Sequence, residues 1–240
     1  IEGEVIQPFT PESKDFYTTD AFTDYALGWL DQHKEEKKPF FLYMAYNAPH
    51  DPLMAWPEDI AKYQGKYKVG YEKIRQARFA KQKAMGLLPE NYPLSESMYK
   101  KWEELTEDEK AREDTVMAVY GAMIDRLDQN IGRLQAKLKE MKVDENTLIV
   151  FVSDNGASSE NVKLEGTGPI GSMTRWTSLR GDWANVSNTP LRYYKNYSHE
   201  GGIKTPMIAY WPKGLKNKNT ISDTPLHFID FMSTFADLTG

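Results

Sequence analysis

The chain has 240 residues, of which 40% are hydrophobic, 27% are charged and none is cysteine, and its formal net charge at pH 7 is −5. This length can bury a large core, and the lack of cysteine excludes disulfides, thiolate metal sites and a cysteine nucleophile within the chain. The negative net charge argues against nucleic acid or an anionic membrane as a partner. No apolar run is long enough to span a bilayer. Any anionic substrate must therefore be held by local positive charge.

The first predicted elements are a helix and a strand. Capping residues at Thr18-Thr19-Asp20 precede apolar residues three and four positions apart, which predicts a helix that ends near His33. Residues 40–46 form a continuous aromatic and aliphatic run, which is typical of a buried strand. The run ends at Asn47-Ala48-Pro49-His50-Asp51-Pro52, so we expect His50 at the carboxyl end of that strand.

Helices are predicted for the next part of the chain. Residues 57–105 are rich in Tyr, Lys and Arg and indicate a helical insert, with Gly86 as a helix stop. Thr106-Glu107-Asp108-Glu109 is a capping-box pattern, and a long apolar stripe from Val116 to Leu138 follows it. The pattern therefore predicts one long helix that leads into the next strand.

That strand ends in two oxygen-bearing side chains. The apolar residues 148–152 run directly into Ser153-Asp154-Asn155-Gly156, which indicates a buried parallel strand with Asp154 and Asn155 at its carboxyl end. Open α/β sheets bind ligands at that edge, and carboxylate and amide oxygens suit a hard cation. The alternative is a plain turn, since Asp, Asn and Gly are common turn residues.

The rest of the chain is predicted as loop, strand and helix. Residues 156–190 are rich in Gly, Ser, Thr and Asn without periodicity, which indicates a long surface loop of functional type. Residues 207–211 form a short strand, and Pro225 opens a final helix that continues to Leu238. Strands that alternate with helices in this order predict an α/β layered sheet.

A polar segment near residue 200 adds candidate site residues. Lys195 precedes His199-Glu200-Gly201-Gly202, and two adjacent glycines permit close backbone approach around a ligand. Taken singly, Lys195 could be a solvated lysine and His50 a hydrogen-bonded loop histidine. His50 and the Asp154-Asn155 pair support each other as candidates only together, and the His199-Glu200-Gly201-Gly202 block strengthens the case for Lys195.

Four blocks stand in order along the chain: Phe41-Leu42-Tyr43-Met44-Ala45-Tyr46-Asn47-Ala48-Pro49-His50-Asp51-Pro52, Ser153-Asp154-Asn155-Gly156, Asn188-Thr189-Pro190-Leu191-Arg192-Tyr193-Tyr194-Lys195 and His199-Glu200-Gly201-Gly202-Ile203-Lys204-Thr205-Pro206. Together these blocks resemble the sulfatase family, in particular the bacterial arylsulfatases. The resemblance covers nearly the whole chain. It implies a partial alkaline-phosphatase-like α/β fold, a mixed sheet flanked by helices.

The resemblance also implies roles for individual residues. Asp154 and Asn155 match ligands of a divalent metal, usually calcium (Ca²⁺) in this family. Lys195 matches the lysine that contacts the sulfate ester, and His50 matches the histidine that contacts the sulfate and protonates the leaving oxygen. His199 is a further candidate for substrate binding. The implied substrate is a small-molecule or glycan sulfate ester, and the implied location is periplasmic or secreted in a bacterium.

Two parts of the family pattern do not occur in this sequence. Sulfatases use a formylglycine nucleophile made in a Cys/Ser-x-Pro-x-Arg motif and two further metal-binding aspartates on the first strand. The nearest match, Asn188-Thr189-Pro190-Leu191-Arg192, has Asn at the nucleophile position, and Asn cannot be converted to formylglycine. We therefore expect residues 1–240 to be the central to C-terminal part of a catalytic domain. On this view the nucleophile segment and a small C-terminal domain lie outside the chain, and the fragment by itself is inactive.

Two other functions fit the same sequence. One is a phosphate or phosphonate monoester hydrolase of the same superfamily, which would differ in its metal ligands or nucleophile. The other is a catalytically inactive relative that binds sulfated glycans. The oligomeric state stays open.

Overall fold

The computed structural model describes residues 11, 13–36, 38–164 and 166–240, where the chain forms seven helices and two strands. Residues 1–10 of the predicted domain lie outside this part. The elements are α1 (Thr18–His33), α2 (Pro57–Ala61), α3 (Tyr71–Ala84), α4 (Glu107–Glu140), β1 (Ile149–Val152), α5 (Arg180–Ser187), α6 (Glu200–Ile203), β2 (Met207–Tyr210) and α7 (Asp230–Thr239), with short helical turns at Trp102–Glu104 and Asp144–Asn146. The fold is of the α/β class and rich in helix.

The long helix α4 confirms the capping-box prediction. The Thr106 hydroxyl accepts a hydrogen bond from the Glu109 amide at 3.2 Å, and the Glu109 carboxylate accepts one from the Thr106 amide at 2.8 Å. These two contacts satisfy amides that the first turn of a helix leaves without partners. The predicted helices α1 and α3 also form, and α3 stops at Ala84 just before Gly86, which has a φ of 72°.

The core forms where α3, α5 and the segment around Leu53 pack against α4. Its centre is Trp183, which is fully buried and meets the Tyr71 ring edge-on at a centroid distance of 4.6 Å. The buried members of this cluster are Ala48, Leu53, Tyr71, Val116, Val119, Met123, Leu179, Trp183, Ala184 and Val186. The core therefore ties the segment next to His50 to α4 and α5.

Helix α4 also holds the predicted insert in place through a buried carboxylate. Asp114 is fully buried and accepts hydrogen bonds from the side chain of Gln64 and from the backbone amides of Gly65 and Tyr67, at 2.8 to 2.9 Å. A buried carboxylate is tolerated only when its oxygens are satisfied in this way.

The sheet differs from the prediction. In the described residues it consists of β1 and β2, which pair antiparallel with Ile149 opposite Tyr210 and Val152 opposite Met207. The predicted parallel, fully buried strand at residues 148–152 is therefore wrong in both direction and burial, since Phe151 is 44% exposed. The apolar run indicated a strand, but the direction of its neighbour depends on a segment more than fifty residues away.

Residues 40–46 are not a strand, contrary to the sequence-based prediction. The segment has no strand partner in the described part of the chain, and Phe41 and Tyr43 are 74% and 79% exposed. The Phe41 ring lies 6.0 Å from the Phe235 ring of α7. Since a strand is defined by its neighbour's hydrogen bonds, an apolar run without that neighbour stays irregular.

Two predictions for the chain after residue 156 also differ from the structure. The predicted loop at residues 156–190 contains the helix α5, and the last helix begins at Asp230 rather than at Pro225. None of the helices in the described part of the chain combines the length and the apolar character needed to cross a bilayer.

Candidate functional site

His50 lies on a turn that hydrogen bonds fix to the segment before α5. The amide of Leu53 donates to the Thr177 carbonyl at 2.8 Å, and the amide of Leu179 donates to the Asp51 carboxylate at 3.2 Å. Burial raises the pKa of the Asp51 carboxyl above its usual range. The imidazole of His50 itself is exposed.

The structure brings Lys195 and His50 into direct contact. The Lys195 ammonium nitrogen Nζ lies 2.8 Å from His50 Nε2 and 3.5 Å from Glu160 Oε1. The backbone amide of Lys195 donates to the Ala157 carbonyl at 3.0 Å. Two residues that are 145 positions apart are thus in contact, and the backbone of one of them is bonded to Ala157, two residues after Asn155.

The contacts define the proton positions in this pair. His50 Nδ1 lies 2.9 Å from the Asp51 carbonyl oxygen, which can only accept, so Nδ1 carries a proton. In the neutral ring Nε2 is then an acceptor, and the Lys195 ammonium donates to it. Protonation of the ring would place two cations face to face, and an anion bound between them would offset that repulsion.

Asp154 and Asn155 follow β1 at its carboxyl end. The Asn155 amide nitrogen donates to the Gly156 carbonyl at 2.9 Å, which leaves its carbonyl oxygen free. Within residues 13–36, 38–164 and 166–240, the Asp154 carboxylate has no hydrogen-bond or ion-pair partner. A free carboxylate beside a free amide oxygen fits a hard cation, although the same residues contain no group of three or more His, Asp and Glu side chains that could hold a metal.

Close backbone contacts join the segment around Gly156 to α6. The Gly156 amide donates to the Gly202 carbonyl at 3.0 Å, and a Cβ at Gly156 would lie 1.7 Å from the Gly201 carbonyl oxygen. A Cβ at Gly201 would lie 2.1 Å from the Tyr193 carbonyl oxygen. The prediction that adjacent glycines serve close backbone approach is confirmed at these positions.

We expect Gly201→Ala to destabilise the chain by about 1–3 kcal/mol, because the new methyl group collides with backbone that cannot move aside. Chemical denaturation of the 240-residue chain measures the loss. The matched control is Gly132→Ala within α4, where a Cβ meets nothing within 4 Å, so that variant should gain about 0.5–1 kcal/mol from helix propensity. Equal stabilities of the two variants would contradict the close-contact account.

The contacts do not bring His199 to the Lys195–His50 pair. Its ring packs on Tyr193 at a centroid distance of 4.5 Å, and it lines a separate cavity of about 220 Å³ with Tyr92 and Glu200. Arg192 lies over the Tyr193 ring, 5.0 Å from its centroid. His199 therefore remains a candidate by resemblance alone.

Two residues of the site were missed by sequence reasoning. Glu160 faces the Lys195 ammonium from inside the predicted loop, and no local pattern marks it. Asn188 accepts from the Ala157 amide at 3.1 Å and donates to the carbonyls of Gly201 and Tyr193. No sequence signal marked Asn188, because the helix before it was predicted as loop and an Asn in a loop is a common turn residue.

The chain is similar to known sulfatases. The family model described as Sulfatase matches residues 3–240. The chain is 34% identical to an arylsulfatase of Klebsiella aerogenes, over 94% of this chain and 51% of that protein, and 34% identical to an uncharacterized sulfatase of Schizosaccharomyces pombe, over 94% and 43%. The solved structure of Ps i-CgsB matches at 28% identity and a TM-score of 0.45, over 82% of this chain and 28% of that one.

The chain thus spans about half the length of the curated relatives it matches. Proteins of the matched family act on sulfate esters and generally use a divalent metal. The family model covers almost every residue, and the chain belongs to the sulfatase family.

Proposed function

We propose that the enzyme containing this chain hydrolyses sulfate esters, and that this chain supplies the group that protonates the leaving oxygen and part of the sulfate-binding pocket. One observation carries the proposal: Lys195 Nζ lies 2.8 Å from His50 Nε2, on backbone bonded to Ala157. The arylsulfatase of Klebsiella aerogenes, which matches 94% of the chain, supports the same reaction class.

Lys195 and His50 form the anion-binding part of the site. A sulfate ester carries one negative charge on its terminal oxygens, and an ammonium next to a protonated imidazole places two donors where that charge sits. Glu160 lies 3.5 Å from the ammonium and keeps it oriented towards the same point. The net charge of −5 does not oppose binding, because exposed charges are screened beyond about 8 Å at physiological salt.

Asp154 and Asn155 would hold a divalent metal, which we propose to be calcium. Their free carboxylate and amide oxygens are the donor types that calcium prefers. When bound, the metal supplies positive charge that stabilises the developing negative charge on the sulfate oxygens. Because calcium takes about six to eight oxygen ligands, these two side chains form only part of its shell.

His50 acts on the leaving oxygen. With the ester bound beside the pair, the exposed ring takes up a solvent proton at Nε2 and passes it to the ester oxygen as the sulfur–oxygen bond breaks, while the Lys195 ammonium keeps its own protons. Nδ1 keeps its proton throughout because it is held by the Asp51 carbonyl. The family resemblance implies a formylglycine as the attacking group, and no residue of this chain matches it.

The reaction class is tested by comparing para-nitrophenyl sulfate with para-nitrophenyl phosphate as substrates of the enzyme that contains this chain. We expect kcat/KM to be higher for the sulfate, because a site built for one negative charge does not neutralise the second charge of a phosphate monoester. The reverse order would support the phosphate hydrolase instead. Binding of sulfated glycans without turnover of either ester would support an inactive binding protein.

A further inference from the structure

Glu160 presents a carboxylate to the Lys195 ammonium. Its amide donates to the buried Ser158 hydroxyl at 3.3 Å, and the Val162 amide donates to the Ser178 hydroxyl at 3.2 Å. These bonds fix the backbone at and after Glu160, whose side-chain oxygen Oε1 lies 3.5 Å from Lys195 Nζ. The Glu160 side chain is 37% exposed, so water screens its charge only in part.

The contact joins one cation to one carboxylate. Among residues 13–36, 38–164 and 166–240, Lys195 is the single cation in ion-pair contact with Glu160, and Glu160 is the single carboxylate in ion-pair contact with Lys195. The positive charge of the ammonium is therefore balanced by one negative charge before any substrate binds.

This carboxylate opposes the anion that the Lys195–His50 pair would bind. A neutral side chain such as Gln could also accept from the ammonium and orient it, without repelling the oxygens of a sulfate group. The charge of Glu160 is thus not needed for orientation, and it weakens the attraction of the pocket for every anion.

The charge of Glu160 also reaches the loop that carries His50. Burial raises the pKa of the Asp51 carboxyl, and the negative charge of Glu160 adds to that rise. Asp51 directly follows His50, whose Nε2 lies 2.8 Å from Lys195 Nζ. Glu160 therefore acts on the surroundings of both members of the pair.

Repulsion by a fixed carboxylate depends on the charge of the ligand. A sulfate ester carries one negative charge, whereas a phosphate monoester carries two above its second pKa of about 6. Coulomb energy scales with the product of the charges, so Glu160 repels the phosphate ester about twice as strongly as the sulfate ester. The same pocket without this carboxylate would lose that difference.

We propose that Glu160 is a specificity-determining residue, whose carboxylate next to Lys195 makes the pocket select singly charged esters over doubly charged ones. The inference rests on the proposed function, because it assigns to one residue the distinction between a sulfate ester and a phosphate monoester. Glu160 takes no part in bond breaking and acts only through its charge.

The test is Glu160→Gln in the enzyme that contains this chain, assayed at about pH 8, where the phosphate is doubly charged. The substrates are three esters of para-nitrophenol: the sulfate and the phenylphosphonate, which carry one negative charge, and the phosphate, which carries two. We expect the ratio of kcat/KM for the phosphate to that for the sulfate to rise by about tenfold. The phenylphosphonate-to-sulfate ratio should stay within about twofold, since these two charges are equal.

These ratios separate the charge of Glu160 from a merely structural role. A displaced Lys195 would lower all three values of kcat/KM and cancel from both ratios. Glu160→Ala also removes the charge and should raise the same phosphate-to-sulfate ratio, whereas Glu160→Asp keeps the charge and should leave the ratio within about threefold of the unmodified enzyme. The matched control is Glu145→Gln, which removes a carboxylate paired with Lys213 at 3.1 Å and should change neither ratio.

Three results would overturn the proposal. The first is an unchanged phosphate-to-sulfate ratio in Glu160→Gln and Glu160→Ala. The second is an equal rise for the phosphate and the phenylphosphonate. The third is a rise in Glu160→Asp as large as that in Glu160→Gln.

A binding measurement separates this inference from the reaction itself. If the unmodified enzyme hydrolyses no sulfate ester, the proposed function fails, and titration calorimetry of that enzyme then decides the role of Glu160. The ligands are benzenesulfonate and benzenephosphonate, which carry one and two negative charges at about pH 8 and contain no ester bond. A phosphonate-to-sulfonate affinity ratio that Glu160→Gln raises by about tenfold would support the inference. An unchanged ratio, or no binding of either ligand, would overturn it.

Discussion

Replacing Lys195 by Ala should lower kcat/KM for para-nitrophenyl sulfate by about a hundredfold to a thousandfold in the enzyme that contains this chain, the usual effect of removing one donor to a developing anion. The structural reason is the position of the ammonium, 2.8 Å from His50 Nε2 and 3.5 Å from Glu160. The loss should be similar for every sulfate ester, because the lysine acts on the sulfate and not on the leaving group. Steady-state kinetics of the purified variant measure it.

The companion variant His50→Asn separates the two roles of the pair. An imidazole that protonates the leaving oxygen matters most when the leaving alcohol is a poor one, with a loss of about a hundredfold to ten-thousandfold. We therefore expect a larger loss on an alkyl sulfate than on para-nitrophenyl sulfate, whose phenolate leaves without help. The control is Lys213→Ala, which removes an exposed ammonium paired with Glu145 at 3.1 Å. Wild-type activity of Lys195→Ala, or the same leaving-group dependence in both variants, would contradict these roles.

Replacing Trp183 by Ala should destabilise the chain by about 3–5 kcal/mol, the cost usually measured for truncating a buried aromatic residue. Trp183 is fully buried, packs on Tyr71, and donates from its indole nitrogen to the Glu113 carbonyl at 3.1 Å. This loss is a large share of the roughly 5–15 kcal/mol that stabilises a typical domain. Urea unfolding followed by circular dichroism measures it.

Two further variants show which property of Trp183 matters. Trp183→Phe keeps an aromatic ring but loses the hydrogen bond to Glu113, so it should recover part of the stability. Trp29→Ala removes a tryptophan that is 39% exposed on α1, and should cost clearly less. If the three variants unfolded at the same urea concentration, α5 would not be held by this core.

The helix α5 shows why the local sequence of residues 156–190 did not predict a helix. Its residues, Arg180–Ser187, include Gly181, Asp182 and Asn185, which are weak helix formers, and eight residues are too few for an isolated helix. The helix forms because Trp183 and Val186 are buried against α4 and α3. Tertiary packing supplies the free energy that the local sequence lacks.

Residues 40–46 show the opposite case, in which the local sequence predicts an element that does not form. Their aromatic and aliphatic run has strong strand propensity, yet it has no strand partner within the described residues. Propensity describes how well a side chain fits a pleated surface, and that surface must come from elsewhere in the chain. The sequence therefore predicted an element that the described structure does not contain.

The candidate site, like the fold, was predicted from the sequence only in part. His50, Lys195, Asp154 and Asn155 were singled out as candidates from their motifs, and the contact between His50 and Lys195 lies where the structure folds two of those motifs together. Glu160 and Asn188 were missed as site residues, because an isolated Glu in a loop and an Asn after a helix are too common to indicate a role. Their contacts to Lys195 and Gly201 exist only in three dimensions.

The sequence by itself determined the long capped helix α4, the helices α1 and α3, the glycines at points of close backbone contact, and the sulfatase family. These features depend on residue patterns within one helical turn, one strand or one motif. Only the tertiary structure decided the antiparallel pairing of β1 with β2, the helix inside the predicted loop, and the approach of Lys195 to His50. Each of those joins residues far apart in the chain, and the burial and hydrogen bonds that stabilise them come from the partner segment.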